Sequence, residues 1–91
     1  MRLRHIEIIQ ALCQTGELKS AAQMLDLPAQ TLEQTLQDAE RKLGFLLFAR
    51  ARGRFQPTPE TLRMQAAIAS VQTHADRLQR LADSLREHQD P

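Results

Sequence analysis

Gln30, Gln34 and Gln37 recur at intervals of four and three residues, with Thr31 beside the first. That spacing puts three carboxamides on one stripe of a helix. A carboxamide donates and accepts together, so it can pair with N7 and N6 of adenine, while Thr31 offers a methyl to thymine or a hydroxyl to phosphate. Read as solvated surface, the same side chains need no partner. The stretch Pro28–Glu40 that holds them contains three acids, Glu33, Asp38 and Glu40, and no base. The next stretch, Arg41–Pro59, contains five bases (Arg41, Lys42, Arg50, Arg52, Arg54) and no acid. A basic block next to a short polar helix is the pattern of a nucleic-acid surface. The difficulty is that the stretch holding the stripe best suited to reading bases carries the charge sign that phosphates repel.

Other chemistries lack their residues. No nucleophile–base pair or phosphate-binding loop is present, and Glu33 and Glu40, seven apart on one flank, are spaced as ordinary surface acids; the chain reads as a non-enzyme. Cys13 is alone among apolar residues of a helical pattern, the setting of a small buried thiol. His5, His74 and His88 are scattered without Cys or His neighbours at ligand spacing, so neither a metal nor another cofactor is expected. With no apolar run of about 18 residues and no signal-peptide pattern, the chain reads as soluble and cytoplasmic, with no membrane partner. Ninety-one residues with net charge +1 make a single small core, for which oligomerisation is a plausible extra stabiliser.

The elements that would position the stripe are legible from periodicity. Leu3, Ile6, Ile9, Leu12 and Cys13 mark a helix over 2–15, closed by Gly16. "LKSAAQML" is a short second helix whose Ala21 and Ala22 permit a close crossing. Asp26-Leu27-Pro28 turns the chain into a third helix, with Leu32, Leu36, Ala39 and Leu43 on its buried face and Gly44 at its end. On a helical wheel Gln30, Gln34, Gln37 and Arg41 lie opposite that face, Glu33 and Glu40 on one flank, Thr31 and Asp38 on the other. "FLLFAR" and "RFQP" read as two strands joined by Ala51-Arg52-Gly53. "PTPETL" opens a last helix, with Thr58 as N-cap and Pro59 at the first helical position. The expected fold is mainly α, a winged helix-turn-helix with a three-helix core and a two-stranded wing over 1–57, followed by a long helix over 58–91. In that architecture the second helix of the pair lies in the DNA major groove.

Met64, Ile68, Val71, Ala75, Leu78, Ala82 and Leu85 are spaced 4, 3, 4, 3, 4, 3, an a/d heptad pattern that Leu81 widens. A helix from Pro59 to about Glu87 would be roughly 43 Å long, more than one small domain can cover. The stripe therefore predicts a homodimer through these residues, with Ala75 and Ala82 letting the backbones approach. A two-fold protein also suits a two-fold DNA site.

The run "AAQMLDLPAQTLEQTLQDAERKLGFLLFAR" resembles the DNA-binding domain of LysR-type transcriptional regulators. Ala21-Ala22, Leu25, Leu27, Leu32, Leu36, Glu40, Leu43-Gly44, Leu47-Phe48 and Arg50 carry the resemblance, with "LRHIEIIQALCQTGEL" and "PTPE". It implies a bacterial transcription regulator that binds double-stranded DNA at an interrupted palindromic operator and dimerises through its last, linker helix. It also implies a small-molecule effector only if the parent protein has a C-terminal domain. The departures lie at the DNA-facing positions. Many members open the third helix with a Ser-Gln-Pro/Ser-Ala type run followed by a Ser and often an Arg; here Pro28-Ala29-Gln30-Thr31 is followed by Glu33 and Gln34. The expected DNA-contacting set is Lys19, Ser20, Gln30, Thr31, Glu33, Gln34, Gln37, Arg50, Arg52 and Arg54, with Arg52 near the wing tip in reach of a minor groove. The rival expectation keeps the fold but loses the DNA: a dimerisation or modulator module.

Overall fold

The computed structural model describes residues 1–89. Helix α1 (Leu3–Thr15) buries Ile8, Ile9 and Leu12 and ends where Gly16 enters the left-handed region at φ 70°, its N–H donating to the Leu12 carbonyl at 2.8 Å. Helix α2 (Leu18–Leu25) crosses α1 through the buried Ala21 and Ala22, whose small side chains bring the two backbones together. Asp26 then takes φ 54°, and the Leu27 N–H closes onto the Ala22 carbonyl at 2.9 Å. Pro28 occupies the N-cap position of α3 (Ala29–Leu43), which sinks Leu32, Leu36 and Ala39 into the core.

The wing is an antiparallel pair, β1 (Phe48–Ala51) and β2 (Arg54–Pro57), with Ala51 opposite Arg54 and Phe48 opposite Pro57. Two residues connect them, Arg52 at φ 56° and Gly53 at φ 76°. Both central residues at positive φ make the tight turn whose twist matches a hairpin. The sequence expectation of a strand from Phe45 and a three-residue turn is corrected here. Phe45-Leu46-Leu47 is a connector, and the backbone groups of Leu47, next to β1, are already engaged. The Leu47 N–H donates to the Glu40 carboxylate at 2.7 Å, and its carbonyl accepts from the buried Thr61 hydroxyl at 2.7 Å and the Thr58 N–H at 3.1 Å. Leu47, with both its N–H and its carbonyl so occupied, cannot extend the strand ladder.

Helix α4 (Pro59–Glu87) starts with Thr58 accepting from the Thr61 N–H, Pro59 following it. Its opening turns bury Thr61 and Ile68 against the core, and Met64 packs there too. Beyond Val71 no side chain of α4 is buried, and the molecule extends over 53 × 26 × 21 Å. No helix among the described residues is long and apolar enough to cross a membrane.

Candidate nucleic-acid interface

Helix α3 presents Gln30, Thr31, Gln34 and Gln37 exposed on the face opposite Leu32, Leu36 and Ala39. The acids leave that face by both flanks, and each is met by a partner. On one flank the Glu33 carboxylate pairs with the Arg50 guanidinium from β1. Arg50 also lies over the Phe55 ring, 4.7 Å from its centroid, and Phe55 is itself held edge-to-face by Phe48 at 6.1 Å. Glu40, further along the same flank, accepts the Leu47 N–H and anchors the connector.

On the other flank Asp38 faces two cations and a histidine. Its carboxylate lies 3.2 Å from Lys42 Nζ, 3.4 Å from Arg41 Nη2 and 3.6 Å from His5 Nε2. The hydrogen bond from Lys42 holds its carboxyl below the ordinary carboxylate value, against the opposing effect of desolvation, with Arg41 adding to the shift. His5 is buried, and desolvation pushes its imidazole below the ordinary 6.5; Asp38 pulls the other way, and Lys42 and Arg2 reinforce the fall. Nδ1 of His5 accepts the Arg2 N–H at 3.3 Å, which leaves the ring proton of the neutral form on Nε2, toward Asp38.

The basic residues of the wing divide by what holds them. Arg54 donates to Glu17 at 3.0 Å, just before α2, and Ser20 donates to the other oxygen of that carboxylate at 3.3 Å. The Arg54 guanidinium also closes over Gly16, where an added Cβ would meet its Nη2 at 2.9 Å. Arg50 is bound to Glu33. Arg52, at the tip, makes no ion pair among the described residues, and neither does Lys19. The expected DNA-contacting residues thus fall into an open set (Gln30, Thr31, Gln34, Gln37, Lys19, Arg52) and an engaged set (Ser20, Glu33, Arg50, Arg54). Sequence reasoning missed Phe55 and Glu17 as the residues that position Arg50 and Arg54. Glu17 could have been found as the only acid between α1 and α2; the stacking of Arg50 has no local signal.

The apolar stripe of α4 divides too. Ile68 is covered by its own chain, and Met64 partly so; with Met1, Ile6, Ala67 and Val71 they line a shallow apolar groove of about 230 Å³. Leu78, Leu81 and Leu85 stand 56–67% exposed, with Ala82 between them.

Residues 3–61 match the family described as bacterial regulatory helix-turn-helix protein, lysR family. The chain belongs to that family. It is 38% identical over 87 residues to the transcriptional activator protein LysR of Escherichia coli strain K12, covering 96% of this chain and 28% of that protein. It is 36% identical over 85 residues to the HTH-type transcriptional regulator AdmX of Serratia plymuthica, covering 93% and 28%. These relatives are transcriptional regulators, not enzymes, and the chain spans little more than a quarter of their length. Full-length OxyR from Pseudomonas aeruginosa superposes with a TM-score of 0.83 at 26% identity, over 92% of this chain and 28% of that one. The BenM DNA-binding domain in complex with catB site 1 DNA shares the fold, with a TM-score of 0.84 at 21% identity over 98% of this chain and all of that one. This chain is a LysR-type winged helix-turn-helix domain with a long fourth helix.

Proposed function

We propose that this LysR-family domain binds duplex DNA sequence-specifically as a homodimer, each protomer laying α3 in the major groove of one half of an interrupted palindrome. Residues 1–57 form the DNA-binding unit and 58–91 the linker that joins two protomers. One observation carries the reading. The exposed face of α3 is a stripe of glutamines, and each acid of that helix is turned to a flank and engaged there, so the face entering the groove carries no unpaired carboxylate. Base readout falls to Gln30, Gln34 and Gln37, with Thr31 beside them. Backbone contact falls first to Arg52 and Lys19, the uncommitted cations, then to Ser20, Arg50 and Arg54 by exchange of their internal partners for phosphate. The parent regulator is placed in the bacterial cytoplasm, its effector in a C-terminal domain if it has one.

A second reading, a dimerisation or modulator module that no longer grips DNA, is favoured by the engagement of two of the three wing arginines with acids of their own chain. Titration of a labelled random duplex at two salt concentrations separates the two. Binding that weakens steeply with salt supports the regulator; silence at low salt supports the modulator.

A further inference from the structure

Between the start of α1 and the Asp38 flank of α3 lies an open cleft of about 360 Å³, lined by Arg2, Arg4, His5, Gln34, Thr35 and Asp38. We propose that this edge is a second backbone-binding surface for duplex DNA, with Arg2 and Arg4 as phosphate contacts; the proposal rests on the reading of α3 as the helix that enters the groove. Gln34 belongs at once to the exposed stripe and to this cleft, so a duplex against the stripe lies beside the two arginines. Both are exposed. Arg4 has one loose ion pair, with Glu7 at 3.8 Å, and Arg2 has none among the described residues.

The acid in the cleft does not cancel them. Asp38 is already matched by Lys42 and Arg41, and burial disfavours the charged form of His5, so the charge left facing solvent is that of the arginines. Position matters as much as sign. Glu33 and Arg50 put the wing on one side of α3; Asp38 and His5 put the start of α1 on the other. A major groove about 12 Å wide closely fits a helix with its side chains, so a helix lying in it has a phosphate strand along each side. The wing attends one strand, and Arg2 with Arg4 attends the other. The first three turns of α3, which carry no base, can then rely on neighbours on both sides to supply them.

The test is fluorescence anisotropy of the 91-residue protein with a labelled random-sequence duplex at several salt concentrations. Circular dichroism and light scattering would check that each variant keeps its fold and mass. The double variant Arg2→Gln/Arg4→Gln should weaken all duplexes alike and flatten the log–log salt slope by about 0.9 for each phosphate no longer neutralised. Arg77→Gln/Arg80→Gln, the same charge change on the distal part of α4, should leave the slope unchanged. Arg2→Lys/Arg4→Lys should retain it. A Gln variant that matches the α4 control while Arg52→Ala still flattens the slope overturns this inference and leaves the function intact. Equal loss in the Lys and Gln variants overturns it as well, since the arginines would then be serving structure. No salt-dependent binding by the unaltered protein removes both readings.

Discussion

Glu33 and Asp38 stand on opposite flanks of α3, and their partners make them chemically unlike. Arg50 reaches Glu33 from another element and is steadied by the Phe55 ring, so Glu33→Ser releases a guanidinium that stays in place beside the groove face. Binding to random duplex should tighten several-fold, read by anisotropy, with the thermal midpoint little changed because exposed ion pairs contribute about 0–1 kcal/mol. Unchanged affinity would mean that neither partner comes near the backbone. His5 gives a second residue-level prediction. The unfolded chain takes up a proton near 6.5, and the folded chain only at lower pH, because burial opposes the charged imidazole. Below about pH 6.5 the unfolded state therefore binds more protons, and stability falls as pH falls. Asp38 has its carboxyl lowered, so its contribution persists through that window and is lost only in stronger acid, below its ordinary 3.8. Urea midpoints measured from about pH 7.5 to about pH 5, a range that spans the free imidazole value, should decline for the native chain. They should be flatter for His5→Gln, even if that variant is less stable throughout.

At the scale of elements, the hairpin turn sets stability against the DNA contact proposed for Arg52. Arg52 is held at φ 56°, where a side chain with a Cβ is strained by about 1–2 kcal/mol and Asn is better tolerated. Arg52→Asn should raise the unfolding free energy by on the order of 0.5 kcal/mol as part of that strain is relieved. It should also flatten the salt slope of DNA binding by about 0.9 per protomer. Loss of both stability and slope would mean that the guanidinium holds the turn. The helices were legible in sequence because each carries its own punctuation: Gly16, Asp26-Leu27-Pro28, Gly44 and Thr58-Pro59. The start of β1 was not, because the groups that occupy Leu47 come from either side of it, from Glu40 in α3 and from Thr58 and Thr61 at the cap and first turn of α4. The site was half legible for the same reason. Helical spacing alone placed the glutamines outward and the acids on the flanks. It could not show that Arg50 meets Glu33, or that Arg54 crosses 37 positions to Glu17.

Across the whole molecule, α4 carries apolar surface of two kinds. Ile68 belongs to the core of its own chain, while Leu78, Leu81 and Leu85 project beyond it. Substituting Asp at Leu78 should therefore separate protomers without unfolding them. Light scattering at micromolar concentration should fall from about twice the chain mass toward the chain mass, with the helical signal of α1–α3 retained. Ile68→Asp should instead unfold the domain, since it buries a charge without a partner. A Leu78→Asp protein that keeps the mass of the native chain would place the interface elsewhere.

The two-stranded wing beside α3 has a further property. A strand pair standing alone exposes unpaired amide and carbonyl groups along both margins, which invite another chain to add on. On the β2 side that invitation is withdrawn at Phe55, whose N–H donates to the Gly16 carbonyl at 2.8 Å, with Arg54 folded over the same glycine. The corner between α1 and α2 thus serves as a blocking third strand one residue long. Edge-to-edge addition of another chain at that margin must first displace the Gly16 carbonyl and the Arg54 guanidinium, so loosening that corner would expose the margin.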